Sequence, residues 1–140
     1  MAREDGVGSG LAVMKYLIGL ILYALSTCQS TPVALEQRCV EWEPVFALYE
    51  MPVEKFSYIA WRESRCQPDA HNGDDPGTGS YGLLQLNDIH WKDMDVRPHL
   101  WGNVKDDCQT DHHTDGFNPV KNICVASYLY AKSGLAPWAM

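Results

Sequence analysis

"IAWRESRCQPDAHNGDDPGTGSYGLLQLN", running from Ile59 to Asn87, decides the fold. Its first residues continue an apolar stripe, Val53, Phe56, Ile59 and Ala60, at the three- and four-residue spacing of a helix. Pro52 suits the first helical position and Glu54 the first turn. Between Cys66 and Thr78 the periodicity vanishes, and Gly, Asn, Asp and Pro mark a loop. "SYGLLQLN" then alternates again and reads as a short strand returning towards the helix end. Helix, loop and strand in that order predict one wall of a cleft. Glu63 stands at its top, and Gln85 and Asn87 supply polar groups along it.

Glu63 falls near the C-terminal end of the predicted helix, where the backbone carries partial negative charge. That charge opposes a further ionised carboxylate, and Trp61 adds desolvation in the same direction. Both effects favour a carboxyl group able to donate a proton. The alternative is a surface ion pair with Arg62 or Arg65.

Upstream, "CVEWEPVFALYEM" places Trp42, Val45, Phe46 and Tyr49 at helical spacing, with Pro44 able to begin but not interrupt the turn. Downstream, "NPVKNICVASYLYAKSGLAPW" opens on an N-cap, Asn118, with Pro119 in the first turn. Ile123, Ala126 and Tyr130 give that helix an apolar face, and Gly134 ends it. Tyr128 has two readings, one in the cleft and one in packing. The predicted class is mainly α with a small β region, an α+β fold. At 140 residues there is room for one hydrophobic core, so any site belongs to a single compact unit.

With 46% hydrophobic residues, five Trp and seven Tyr, the composition is that of a folded chain. The net charge of -7, without any basic run, argues against nucleic acid and against long-range attraction to an anionic surface.

Lys15, the apolar run "YLIGLILYAL" and the small and polar "STCQSTP" resemble a secretory signal that begins at Met14. Ala24 and Ser26 fit a cut after Ser26, which leaves about 110 residues. An uncleaved anchor and a lipoprotein box at "LSTC", with Cys28, are the alternatives, and they are the only routes to a membrane read here. Residues 1–28 are thus assigned to an extension and signal, and residues 29–140 to the folded domain. Beyond the signal remain Cys39, Cys66, Cys108 and Cys124, an even number suited to two disulfides in an exported domain. Three pairings are open; Cys39 with Cys66 and Cys108 with Cys124 join segments that a helix pair or a short loop brings together. Zinc is the competing reading, but no pair has CxxC spacing.

Glu63-Ser64 followed by Gly82, Leu83, Leu84 and Gln85 resembles the signature of the lysozyme-like superfamily. In lytic transglycosylases of that superfamily a Glu-Ser pair precedes a Gly-Leu-Met-Gln stretch, with Leu84 here in place of Met. Asn118, Pro119, Asn122, Ile123, Gly134 and Trp138 resemble the closing helix and Gly-x-x-x-Trp ending of its small members. The resemblance implies a lysozyme-like fold acting on peptidoglycan strands, with Glu63 as acid and Ser80, Tyr81, Gln85 and Asn87 as substrate contacts. It implies no cofactor and no metal, a monomer, and a place outside the cytoplasm, by secretion or by phage delivery to the wall.

The spacing from Glu63 to Tyr81-Gly82 matches c-type lysozymes, yet Ser80 stands where those enzymes carry their second carboxylate. A two-carboxylate retaining mechanism, for which a lysozyme is the type case, therefore does not carry over. The resemblance favours a single-acid transglycosylase over a hydrolysing muramidase, unless Asp69, Asp74 or Asp75 folds across the cleft to act as base. Those three read as solvated loop carboxylates. A non-catalytic glycan-binding module is the reading from another class. "KDDCQTDHHTDG" reads as a polar loop, since its spacing matches neither a calcium loop nor a helical His pair. Trp91 and Trp101 suit either sugar stacking or burial.

Overall fold

In this computed structural model residues 31–139 are described, and the expected signal segment lies outside the described residues. After 3-10 turns at Leu35–Gln37 and Val40–Trp42 come helices α1 (Glu43–Leu48) and α2 (Val53–Ser64). A small sheet follows, β1 (His71–Asn72), β2 (Ser80–Tyr81) and β3 (Leu86–Asn87), then α3 (Ile89–Val96) and α4 (Val104–Cys108). Helix α5 (Pro119–Ser133) and a final 3-10 turn at Ala136–Trp138 close the chain. The fold is mainly α with a three-stranded antiparallel sheet, as the sequence predicts.

The apolar stripe of α2 does what its spacing dictates. Phe56, Ile59 and Ala60 are fully buried and pack into one core with Phe46 of α1 and Ile123, Val125, Ala126 and Leu129 of α5. Phe56 meets Trp138 edge to face at 5.1 Å. Pro52 occupies the N-cap rather than the first helical position. The Asn118 carboxamide caps α5 by accepting from the amides of Val120 and Lys121, and Gly134 ends that helix at φ +58°.

Two further sequence expectations require correction. "SYGLLQLN" is not one strand but a tight hairpin, with β2 paired to β3 through Ser80 opposite Asn87 and Tyr81 opposite Leu86. Leu83 and Leu84 lie in its turn and are both fully buried, which strand alternation forbids but a turn sunk into the core permits. "KDDCQTDHHTDG" is more than a polar loop: it begins inside α4 and enters a 3-10 helix at His113–Phe117. That helix starts from a capping box in which His112 and Asp115 each accept from the other's neighbourhood. Disulfides join Cys39 to Cys66 and Cys108 to Cys124, and no helix among the described residues is long and apolar enough to cross a membrane.

Candidate active site

Helix α2 stops abruptly. Arg65 and Cys66 both take left-handed backbone angles, φ +54° and +65°, an uncommon region for residues with a Cβ. The Cys39–Cys66 disulfide and the Arg65 amide bonding to the Trp61 carbonyl at 3.0 Å hold this end in place. Ser64 turns its hydroxyl back onto the Ala60 carbonyl at 3.0 Å. Glu63 is thereby fixed on the last turn, half-buried, at the edge of a cleft of about 940 Å³.

Arg62 pairs with Glu63: Nη2 donates to Oε1 at 2.5 Å and also to the Trp138 carbonyl at 2.6 Å. Oε2 of Glu63 accepts no hydrogen bond among the described residues. Arg65 instead lays its guanidinium over the Trp61 ring at 4.0 Å, so of the two partners named from the sequence Arg62 is the one taken.

The sheet forms the facing part of the lining, with Ser80, Gln85, Asn87 and Asp75 on the cleft. Ser80 is 3% exposed and donates its hydroxyl proton to Asp75 Oδ2 at 2.5 Å, while Asn87 Nδ2 approaches the same hydroxyl at 3.3 Å. Asn87 also donates to the Pro76 carbonyl and accepts from the Ile89 amide, which makes it a brace of the wall as well as a lining group. Gln85, at φ +47°, donates to the carbonyls of Ala70 and Gly82. Tyr81 lies behind the wall: its ring stacks on His71 at 4.6 Å, and its hydroxyl donates to the Thr78 carbonyl. Of the three loop aspartates, Asp75 reaches the cleft lining, while Asp69 and Asp74 are exposed outside it.

Strands of two residues cannot hold such a wall alone, so buried polar side chains do. Asn122 of α5 is fully buried; its carbonyl oxygen accepts from the Leu84 amide and its nitrogen donates to the Tyr81 and Gly116 carbonyls. Gly82, at φ +75°, sits so close that a Cβ would lie 1.9 Å from the Gly116 oxygen. Trp138 Nε1 donates to the Leu84 carbonyl. Asp88 is also solvent-inaccessible and takes both the amide and the hydroxyl of Thr78 on Oδ2. Burial alone would raise its pKa, but Lys92 and Thr78 outweigh that and hold it at about 2.

The far end of the cleft was not legible in the sequence. His90 and Asp93 stand one turn apart on α3, and Trp101, Lys132 and Ser133 complete that end. Trp101, though 5% exposed, lines the cleft and donates its indole proton to Asp93, which together with Arg97 holds that carboxyl below its ordinary range. Burial pushes the His90 imidazole below its ordinary value. The helical spacing of His90 with Asp93 is the sequence signal for this end. Trp91 is core, bonded to Thr110, and Tyr128 pairs with Asp107 rather than facing the cleft, its phenol pushed up to about 12 chiefly by that bond.

Residues 46–133, well over half the chain, match the family described as the Transglycosylase SLT domain. The chain belongs to this family. Transglycosylase SLT domains are lysozyme-like, and the cleft between the end of α2 and the hairpin lies within the matched span apart from its Pro137 and Trp138 edge. No curated protein and no solved structure matches the chain. Membership of the SLT family makes peptidoglycan the general target, and the two disulfides fit an extracellular place.

Proposed function

We propose that this SLT-family chain is an exported lytic transglycosylase that cleaves the β-1,4 linkage between N-acetylmuramic acid and N-acetylglucosamine, with Glu63 as the single proton-transferring residue. The observation that supports it most is the place of Glu63: half-buried on the last turn of α2, on the cleft, with Oε1 held by Arg62 and Oε2 without a hydrogen-bond partner among the described residues.

In this reading Glu63 protonates the glycosidic oxygen as the C1–O bond breaks, and the bond pair leaves with that oxygen. The substrate's acetamido group stabilises the oxocarbenium-like centre. The Glu63 carboxylate, now beside the Arg62 cation, draws the proton from the sugar's C6 hydroxyl as that oxygen closes on C1, giving a 1,6-anhydro end and restoring the acid. Gln85 and Asn87 contribute what their backbone duties leave free, and Ser80 works through Asp75. Arg65 and Lys132 line the cleft and offset locally the chain's overall charge of -7 towards an anionic wall polymer.

Hydrolysis by water is the second reading, favoured by Asp75 on the cleft, because a carboxylate is the group that draws a proton from water. Mass spectrometry of products released from purified peptidoglycan by the oxidised chain, beside Glu63→Gln, separates the two. Anhydro ends that vanish in the variant support the transglycosylase; hydrated reducing ends support the muramidase. Thermal stabilisation by chitooligosaccharide without turnover would overturn both in favour of a binding module.

A further inference from the structure

Behind the cleft wall lies a group of rings that cleavage itself does not use. The Tyr81 ring is met by His71 at 4.6 Å, by His113 at 4.9 Å and by Phe117 at 5.2 Å, and the His113 ring lies 3.8 Å from that of His112. His112 opens the 3-10 turn His113–Phe117: its Nδ1 accepts from the Thr114 amide at 3.3 Å, which a neutral imidazole can do and an imidazolium cannot. This turn is the seat of the hairpin. Its Gly116 carbonyl accepts from Asn122, and a Cβ on Gly116 would lie 2.9 Å from that of Tyr81, so nothing separates the turn from β2. Three imidazoles thus stand around one buried residue of the wall, with His113 half-buried between Tyr81 and His112.

We propose that His113 is a proton switch on the cleft wall: neutral, it seats the hairpin through Tyr81, and protonated, it is repelled by its neighbours and loosens residues 80–87. Facing it are His112 on its own turn, His71 on β1, Tyr81 on β2, Asp88 just before α3 and Lys92 on α3. Burial first, then protonated His112, Lys92 and protonated His71, oppose a charge on His113 and hold it below its ordinary value of 6.5. Asp88 favours that charge, but its carboxylate is already taken by Lys92 and Thr78. Asp115, which accepts the His112 amide, is paired with Lys121. The seated wall therefore favours the neutral ring. The stability this supplies is full above 6.5 and is lost as pH falls through that value, far from the window of Asp88 at about 2. Turnover should fall with the wall, a consequence that rests on the reading of Glu63 as the proton donor.

The test is hydrogen exchange of the Gly82 and Leu84 amides, which bond to Ala70 and Asn122, read as protection relative to the unfolded chain from about pH 7.5 to about pH 5.5. Wild type is compared with His113→Phe, which keeps a ring against Tyr81 but cannot charge, and with His113→Lys, which is charged throughout. Protection in wild type should fall about tenfold over this range, with its midpoint at the titration of the His113 ring seen by NMR. His113→Phe should hold its protection at both ends, and His113→Lys should lack it at both, while Val125 in the α5 core stays protected in all three. The ratio of His113→Phe to wild-type turnover on purified peptidoglycan should rise in the same proportion as pH falls. If His113→Phe folds poorly, His113→Gln takes its place. Wall protection in wild type that ignores pH would overturn the proposal, as would a pH response that survives in His113→Phe, which would pass the sensing to another group such as His90. An inert wild-type chain would overturn the glycan-cleaving reading alone, because exchange decides the switch without turnover.

Discussion

The indole of Trp138 donates to the Leu84 carbonyl at 3.0 Å, while the Trp138 carbonyl accepts from Arg62 at 2.6 Å. One residue thus links the turn of the hairpin to the arginine that grips Glu63. Trp138→Phe keeps an aromatic against Phe56 but leaves the buried Leu84 carbonyl unpaired, so we expect about 1–3 kcal/mol lower stability in urea. Activity should fall further than that loss explains, because Arg62 is anchored on the same backbone. A variant with wild-type midpoint and turnover would refute the linkage.

Asn122 is the other clamp on that turn. Asn122→Ala strands the Leu84 amide and the carbonyls of Tyr81 and Gly116, which sets the expected loss at roughly 2–5 kcal/mol. Gly82→Ala should be at least as damaging, since the added methyl would overlap the Gly116 oxygen and the φ of +75° disfavours any Cβ. Chemical denaturation of both variants checks this; a tolerated Gly82→Ala would mean that the hairpin can shift.

The two disulfides should differ in effect. By chain entropy each contributes about 3–4 kcal/mol, given separations of 27 and 16 residues. Cys39–Cys66, however, also secures the left-handed end of α2 two residues after Glu63, whereas Cys108–Cys124 joins α4 to α5 away from the cleft lining. Paired Ser variants should therefore lose similar stability, with the larger loss of turnover per kcal/mol in Cys39→Ser/Cys66→Ser. Turnover assays at temperatures where both variants remain folded make the comparison.

Acid should loosen the hairpin. Asp88 lies at about 2 in the folded chain against an ordinary 3.8, so folding favours its ionised form. The stability this supplies is full above the ordinary value and is lost as pH falls through it towards about 2. Asp93 and Asp115, also held below the ordinary value, act in the same direction. Asp88→Asn should show a shallower fall in urea midpoint than wild type between about pH 5 and about pH 2. Equal slopes would show that other carboxylates carry the effect.

Much of this was legible because the helices obey single, strong rules. The stripe Phe56, Ile59, Ala60 and the Asn118-Pro119 start of α5 are determined within one turn of chain, and the structure returns both. The hairpin was misread because Leu83-Leu84 is apolar through tertiary burial rather than period, and its turn depends on Asn122, 38 residues away from Leu84. Which of the three loop aspartates reaches the cleft was not readable for the same reason: the Gly, Asp and Pro neighbours of Asp75 look solvated, and bonds from Asp88 and Asn87, beyond the loop, tie it in place. At the α2 terminus, Arg62 was foreseen as a partner of Glu63, but its second bond, to Trp138, spans 76 residues and has no local trace.

A wall made of two-residue strands has an evolutionary consequence. Because side chains from α5, from the α3 start and from the Ala136–Trp138 turn carry its cohesion, each such residue is meaningful only in the presence of the others. Substitutions at Asn122, Gly82, Asp88 and Trp138 should be strongly epistatic: lineages would change them in concert or keep them, while the outward face of the same sheet drifts freely.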